Sequence, residues 1–135
     1  MQAAIMSWRI SLTKPLSTLL MLALVPLAVW SSDGDGSANP ERGKEIYESR
    51  CFACHSIDDN RVGPKHLGVF GRKAGSIADY DYSKSVKKAK ITWNEKTLDA
   101  WLTDPEALIP GQKMGYQVSD AADRADIIAY LKTVK

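Results

Sequence analysis

Two cysteines separated by two residues and followed at once by a histidine constrain this chain more than any other feature; they form the run CFACH at residues 51–55. If this run is helical, Cys51 and Cys54 lie three residues apart and leave the same face. That spacing suits thioether bonds to the two vinyl groups along one side of a porphyrin. His55 emerges beside them and can bring an imidazole nitrogen to the iron. The motif therefore predicts one covalently attached c-type haem.

A pair of cysteines at this spacing is also typical of a redox dithiol or of half a zinc site. The only other histidine is His66, and its separation from His55 fits no common zinc-finger spacing. No β-rich run precedes the motif, although a thioredoxin-like site would need one. The haem interpretation is favoured, and a thiol–disulfide or zinc module is the alternative from another class.

The first thirty residues differ in composition from the rest of the chain. Arg9 and Lys14 precede an uncharged, mostly apolar run over residues 15–30, and the polar stretch SSDGDGSANP follows. This order predicts a secretory signal peptide over residues 1–31, with cleavage after Ser31 or after Ala38. The apolar run is shorter than the roughly 20 residues that span a bilayer, and Pro26 weakens a continuous helix.

An uncleaved membrane anchor over residues 1–31 is the alternative, with residues 32–39 as a polar linker or tether. In both cases a single domain over residues 40–135 is exported, and we expect it in the periplasm, soluble or tethered to the membrane. Two cysteines without a disulfide framework agree with haem attachment on the exported side.

The formal charge of +2 comes from the leader, because removing Arg9 and Lys14 leaves 16 basic and 16 acidic residues. Such a balance gives no reason to expect nucleic-acid binding. The distribution is nevertheless uneven, and basic residues gather in the middle of the chain: Lys65, Arg72, Lys73, Lys84, Lys87, Lys88, Lys90 and Lys113.

Three helices are predicted by their caps and apolar spacing. Asn39 and Pro40 open the first, in which Gly43 allows another helix to come close. The run Thr92-Trp93-Asn94-Glu95 reads as the capping box of the second, which ends at Asp104-Pro105. Ser119 or Asp120 caps the third. Its apolar stripe contains Ile127, Tyr130, Leu131 and Val134.

Residues 56–90 contain many turn formers and show no sustained periodicity, and no convincing strand is found anywhere. A loop-rich stretch of this length is unusual in a compact domain. A large flat cofactor would supply the apolar surface on which these loops pack. The fold class is therefore predicted to be all-α.

Several short motifs in a fixed order resemble class I cytochrome c of the mitochondrial and alphaproteobacterial soluble type. They are CFACH (51–55), GP (63–64), FGRKAG (70–75), ITW (91–93), IPGQKM (109–114) and DIIAYLK (126–132). The resemblance covers almost all of residues 40–135. It implies the cytochrome c fold, with three main helices and loops wrapped round one covalent haem.

The same resemblance implies a ligand set. Cys51 and Cys54 carry the thioethers, His55 is the proximal iron ligand and Met114 is the distal one. Pro64 resembles the proline whose carbonyl accepts the proximal imidazole N–H. His66 lies two residues beyond Pro64, too close to the proximal side to compete with Met114.

Three further residues resemble those that hold the buried haem propionate: Arg72, Tyr82 and Trp93. The chain departs from the family pattern at two positions. Trp101 stands where many members have Tyr near the methionine sulfur, and Gln112 stands where Thr is common. These departures concern the tuning of the reduction potential.

The resemblance implies a monomeric one-electron carrier, not an enzyme, between a quinol–cytochrome c reductase and a terminal oxidase or reaction centre. The lysines expected to steer docking on acidic partners are Lys65, Lys73, Lys87, Lys88 and Lys113. The alternative function is a ligand-binding or peroxidatic c-type haem protein with a labile distal ligand.

Overall fold

The computed structural model describes residues 37–135. The predicted signal peptide or anchor over residues 1–31, and most of the linker over residues 32–39, lie outside the described residues.

The first and last helices begin where the sequence predicts. Helix α1 spans Pro40–Arg50, and the Asn39 side chain accepts hydrogen bonds from the amides of Glu41 and Arg42 at 3.0 Å each. Helix α5 spans Ala121–Thr133, and the side chain of Asp120 accepts from the amide of Asp123 at 2.8 Å. Each cap satisfies amides that have no partner within the helix.

Helices α1 and α5 cross in close contact, and Gly43 is the point of closest approach. A Cβ atom on Gly43 would lie 1.9 Å from the backbone oxygen of Asp126, so no other residue fits without a shift. Next to this point, the rings of Tyr47 and Tyr130 lie 5.3 Å apart between centroids. Tyr47 and Ile127 are each only 1% exposed, so the crossing forms the centre of the core. The sequence expectation for Gly43 is confirmed.

Ion pairs also join α1 to α5. Arg42 pairs with both Asp123 and Asp126, and Arg50 reaches Asp123 at 2.9 Å. Asp126 also accepts a hydrogen bond of 2.7 Å from the amide of Asn39. Both carboxylates are buried, and their partners come from α1 or its cap. The ion pairs therefore fix how the two helices are aligned along their length.

Between them, helix α2 spans Lys84–Lys88, α3 spans Glu95–Thr103 and α4 spans Pro105–Leu108. The sequence did not predict the short α2 and α4. Within residues 37–135, β structure is limited to one isolated antiparallel bridge, between Lys73 and Thr92. The all-α prediction is confirmed. No helix in this part of the chain is long and apolar enough to cross a membrane.

The predicted capping box of α3 is wrong by two residues. Asn94, not Thr92, is the cap, and it exchanges hydrogen bonds with Thr97. Thr92 is already committed to the bridge with Lys73, and its carbonyl oxygen accepts from the Thr97 hydroxyl at 2.8 Å. Because the backbone at Thr92 is extended, α3 begins two residues later than predicted. The predicted end at Asp104-Pro105 is confirmed, and Asp104 also caps α4.

Candidate haem site

The two cysteines lie in a turn that continues α1. Cys51 caps the helix, and its carbonyl oxygen accepts from the amides of Cys54 and His55 at 3.1 and 2.9 Å. The motif is thus not inside the helix, as the sequence suggested, but in one further turn of similar winding. Both thiols are free, Cys51 half-buried and Cys54 exposed. This placement leaves both sulfur atoms available for covalent attachment.

The environment of Cys51 disfavours thiolate chemistry. Burial raises the pKa of Cys51 to about 11, Cys54 contributes in the same direction, and nearby Arg50 only partly offsets them. At neutral pH the group is therefore a thiol, whereas exchange between thiols and disulfides requires a thiolate. Cys51 is therefore poorly suited to be the attacking thiol of a thiol–disulfide module.

His55 is held by the loop that follows the motif. Its Nδ1 atom lies 2.8 Å from the carbonyl oxygen of Pro64, as the sequence resemblance implies. Gly63 makes this approach possible, because a Cβ atom there would lie 2.2 Å from Cε1 of the imidazole. Burial lowers the pKa of His55, although the bond to Pro64 opposes the shift. The result is a neutral imidazole whose Nε2 atom remains free for a metal.

His66 lies against His55, not opposite it. The two imidazole rings stack with their centroids 4.1 Å apart. His66 Nδ1 also shares a hydrogen bond of 3.1 Å with the Tyr47 hydroxyl. Burial first, then His55 and Arg72, hold the pKa of His66 well below its usual range. This position agrees with the expectation that His66 cannot reach the far side of the site, but the contact with Tyr47 was not foreseen.

Met114 lies in the segment between α4 and α5, and its sulfur has a defined partner. The indole N–H of Trp101 donates to Sδ of Met114 at 3.0 Å. The amide of Met114 donates to the side-chain oxygen of Gln112, whose nitrogen in turn donates to Glu106 at 3.2 Å. The two residues that depart from the family pattern, Trp101 and Gln112, are thus the ones that contact Met114.

The three predicted propionate residues lie near one another. Backbone hydrogen bonds join Arg72 to Trp93, because the Trp93 amide donates to the Arg72 carbonyl oxygen at 2.9 Å. Burial raises the pKa of Tyr82, and the positive charge of Arg72 opposes that rise. The Arg72 guanidinium also donates to the carbonyl oxygens of Leu67 and Lys65, at 2.7 and 2.9 Å. Trp93 packs edge-to-face on Trp101 at 5.4 Å, which connects it to the side of Met114.

These donors and their surroundings fit a c-type haem. The two free thiols are available for thioether bonds to a porphyrin. An imidazole with an available nitrogen and the thioether of a methionine form a neutral ligand pair that suits haem iron. Cys51 and Met114 pack against the hydrophobic core, as do further half-buried apolar or aromatic side chains: Ile57, Phe70, Tyr82, Ala89, Ile91, Trp101 and Leu108. Among residues 37–135, no three His, Cys, Asp or Glu side chains lie close enough to hold a metal ion, so the zinc alternative lacks a ligand set there. Fold and site together define a small helical c-type haem protein.

Comparison with known proteins gives the family. The sequence profile described as Cytochrome c matches residues 40–135, and the chain belongs to the cytochrome c family. It is an electron carrier with covalent haem c and its iron, not an enzyme. The predictions of family, fold, cofactor and general function are confirmed.

Three relatives illustrate the similarity. Cytochrome c of Tetrahymena pyriformis is 47% identical over 104 residues, which cover 76% of this chain and 91% of the relative. Cytochrome c2 of Rhodomicrobium vannielii is 37% identical over 119 residues, 84% of this chain and 94% of the relative. The solved structure of cytochrome cH from Methylobacterium extorquens matches this chain with a TM-score of 0.68 and 43% sequence identity. The match covers 71% of this chain and 99% of the cytochrome cH chain.

Proposed function

We propose that Cys51 and Cys54 would hold the haem through thioether bonds and that His55 and Met114 would be the two protein ligands of its iron. One observation supports this most strongly. Nδ1 of His55 is engaged by the Pro64 carbonyl oxygen at 2.8 Å, so only Nε2 is available for a metal. A partner of this kind fixes the tautomer and increases the donor strength of a ligating imidazole.

The environment of Met114 supports its part in the proposal. A thioether sulfur has two lone pairs, and the Trp101 N–H at 3.0 Å engages one of them. The other lone pair remains free for the iron. The hydrogen bond also holds the flexible side chain in one orientation, which an unanchored methionine would lack.

The haem, when bound, supplies a one-electron couple at its iron. The chain determines how that couple is used. With His55 and Met114 both bound, the iron would have no free position for a substrate, and the soft thioether would raise the reduction potential. The apolar side chains around the site act in the same direction, because they disfavour the more highly charged ferric state.

We further propose that the protein works in the periplasm between membrane-bound redox complexes. A quinol–cytochrome c reductase would supply the electron, and a terminal oxidase or a reaction centre would accept it. The lysines proposed to steer docking are partly neutralised within the chain: Asp81 pairs with Lys87 at 3.1 Å and with Lys113 at 3.7 Å. Because Asp81 is 85% exposed on its side chain, these pairs are weak and compete with a partner's carboxylates.

Optical spectra of the haem-loaded protein test the ligand set. Wild-type protein should show sharp c-type bands on reduction and, when oxidised, a weak red band from sulfur-to-iron charge transfer. Met114→Ala should lose the red band, whereas the neighbouring Lys113→Ala should keep it. Haem bands without a red band in the wild type would instead favour a ligand-binding or peroxidatic protein, and rapid CO binding to the reduced form would confirm that. Absence of haem after expression with an intact maturation system would contradict both.

The docking proposal has its own test. Electron-transfer rates with an acidic redox partner should fall steeply as ionic strength rises, since exposed charges are screened within about 10 Å at 0.1 M salt. Asp81→Asn should raise the rate at low salt, because it frees Lys87 and Lys113. A flat dependence on salt in both proteins would exclude electrostatic steering.

A further inference from the structure

A connected row of rings leads from His55 through the core to α5, and the CFACH motif does not require it. The centroids of His55 and His66 are 4.1 Å apart, with only 21° between the ring planes. Those of His66 and Tyr47 are 5.6 Å apart, and those of Tyr47 and Tyr130 are 5.3 Å apart. The first two contacts join the proposed proximal ligand to the helix crossing.

The backbone places His66 beside the motif. Its amide donates to the carbonyl oxygen of Ser56 at 2.9 Å, and the next amide, of Leu67, donates to that of Ile57 at 2.8 Å. Gly63 is joined to Cys54 in the same way at 2.8 Å. The loop that carries Pro64 and His66 is therefore tied at three points to the motif and to the two residues that follow it, and the His66 ring has little freedom to move away.

Tyr47 restricts the rotation of the His66 ring. Its hydroxyl shares a hydrogen bond of 3.1 Å with Nδ1 of His66, which sets the rotation of the imidazole about its Cβ–Cγ bond. Tyr47 itself is 1% exposed and lies within the crossing of α1 and α5. The plane of His66 is thus set by a buried residue of the helix crossing.

The bond to Pro64 does not by itself fix the plane of His55. A carbonyl oxygen accepts hydrogen bonds over a broad range of directions, so the imidazole could still tilt about that contact. A flat ring at 4.1 Å on one face of His55 removes this freedom. We propose that Tyr47 and His66 are positioning residues that set the plane of the proximal imidazole, and that Tyr47 acts only through His66. This rests on the proposed function, in which His55 ligates the haem iron.

Electron paramagnetic resonance and NMR of the oxidised, haem-loaded protein test the proposal, because g values and haem methyl shifts depend on the plane of an axial imidazole. The test variants are Tyr47→Phe, which removes only the hydroxyl, and His66→Leu, which removes the stacked ring. Tyr130→Phe is the matched control, because Tyr130 contacts Tyr47 but has no hydrogen bond to His66.

Both test variants should shift the g values and the haem methyl resonances in the same direction, His66→Leu by more. The double variant should match His66→Leu alone, and Tyr130→Phe should match the wild type. Unchanged spectra in Tyr47→Phe, or additive shifts in the double variant, would overturn the proposal and leave His66 as a core residue only. If His66→Leu does not take up haem, Tyr47→Phe decides the outcome.

The red band separates this test from that of the ligand set. All of these variants should keep the band, because the hydrogen bonds of Met114 are made with Trp101 and Gln112, which none of them alters. A wild-type protein without the band would contradict Met114 ligation, whereas unchanged g values with the band intact would contradict only the role of Tyr47 and His66.

Discussion

The motif side of the molecule and its methionine segment are held by different kinds of contact. The motif side, which comprises α1, α5 and residues 51–67, is joined by backbone hydrogen bonds, by ion pairs to two buried carboxylates and by a helix crossing with no space for a Cβ atom at Gly43. In the methionine segment, residues 112–118, only the two end residues, Gln112 and Val118, have amides that donate to a backbone carbonyl within the described part of the chain. The amides of residues 113–117 do not. Met114 is held there mainly by the side chains of Trp101 and Gln112.

This difference has a physical consequence for the site. Regions open locally at a free energy that reflects how many contacts each opening must break. The methionine segment breaks few contacts, whereas the motif side cannot open without separating α1 from α5. We therefore expect the two proposed iron ligands to differ in lability: His55 should stay bound whenever the domain is folded, and Met114 should dissociate first.

The same substitution in the two regions gives the largest expected contrast. Gly43→Ala places a Cβ atom 1.9 Å from a backbone oxygen of α5, and we expect it to lower the free energy of unfolding by about 3 kcal/mol. Gly115→Ala meets nothing within 4 Å and should change it by less than about 1 kcal/mol. Denaturant unfolding followed by far-UV circular dichroism measures both. Equal effects would show that the crossing is not tightly packed.

A smaller effect is expected at the sulfur of Met114. Trp101→Phe removes the N–H donor but keeps an aromatic ring, and a hydrogen bond contributes about 0.5–1.5 kcal/mol net. Because sulfur is a weak acceptor, we expect the lower end of that range, about 0.5 kcal/mol. The fraction of molecules with Met114 dissociated should then rise about twofold. The rate at which added imidazole displaces the methionine reports this directly. A rate equal to that of the wild type would mean that the hydrogen bond does not stabilise the bound state.

The sequence predicted the motif side better than the methionine segment, for physical reasons. Asn39, Asp120 and Gly43 each express a local rule, namely a cap or a close approach, and the structure agrees with all three. Such rules depend on a few adjacent residues or on one helix face. They can be read from the sequence without knowledge of the fold. The contact of Pro64 with His55 was implied by the family resemblance, and the structure agrees with it too.

Contacts that depend on the fold were missed or misplaced. The helices α2 and α4 have five and four residues, too few to show a periodic pattern. The cap of α3 moved because Thr92 pairs with Lys73, which lies nineteen residues earlier in the chain. The bond between Tyr47 and His66 has no local signal, since a tyrosine on a helix and a histidine in a loop each have ordinary explanations.

The smallest expected effect concerns the pH dependence of α5. The bond from the Asp123 amide, ahead of other contributions, lowers the pKa of Asp120 below its ordinary 3.8. A carboxyl group whose pKa is lower in the folded state than in the unfolded state stabilises the fold at pH values above the unfolded-state pKa. This stabilisation is lost as the pH falls through the folded-state pKa. Asp120→Asn keeps a capping side chain and should therefore weaken the loss of stability below about pH 4. The neighbouring Ser119→Ala should leave that loss unchanged, and equal acid sensitivity in all three proteins would contradict the assignment of the cap.

The most direct test of the account is one denaturant titration of the oxidised, haem-loaded protein with two probes. The red charge-transfer band reports the bond between Met114 and iron, and far-UV circular dichroism reports the helices. If the motif side is firmly held and the methionine segment is not, the red band should disappear at a clearly lower denaturant concentration than the helical signal. A single coincident transition would contradict the difference between the two regions, and a protein that never shows the red band would contradict ligation by Met114 itself.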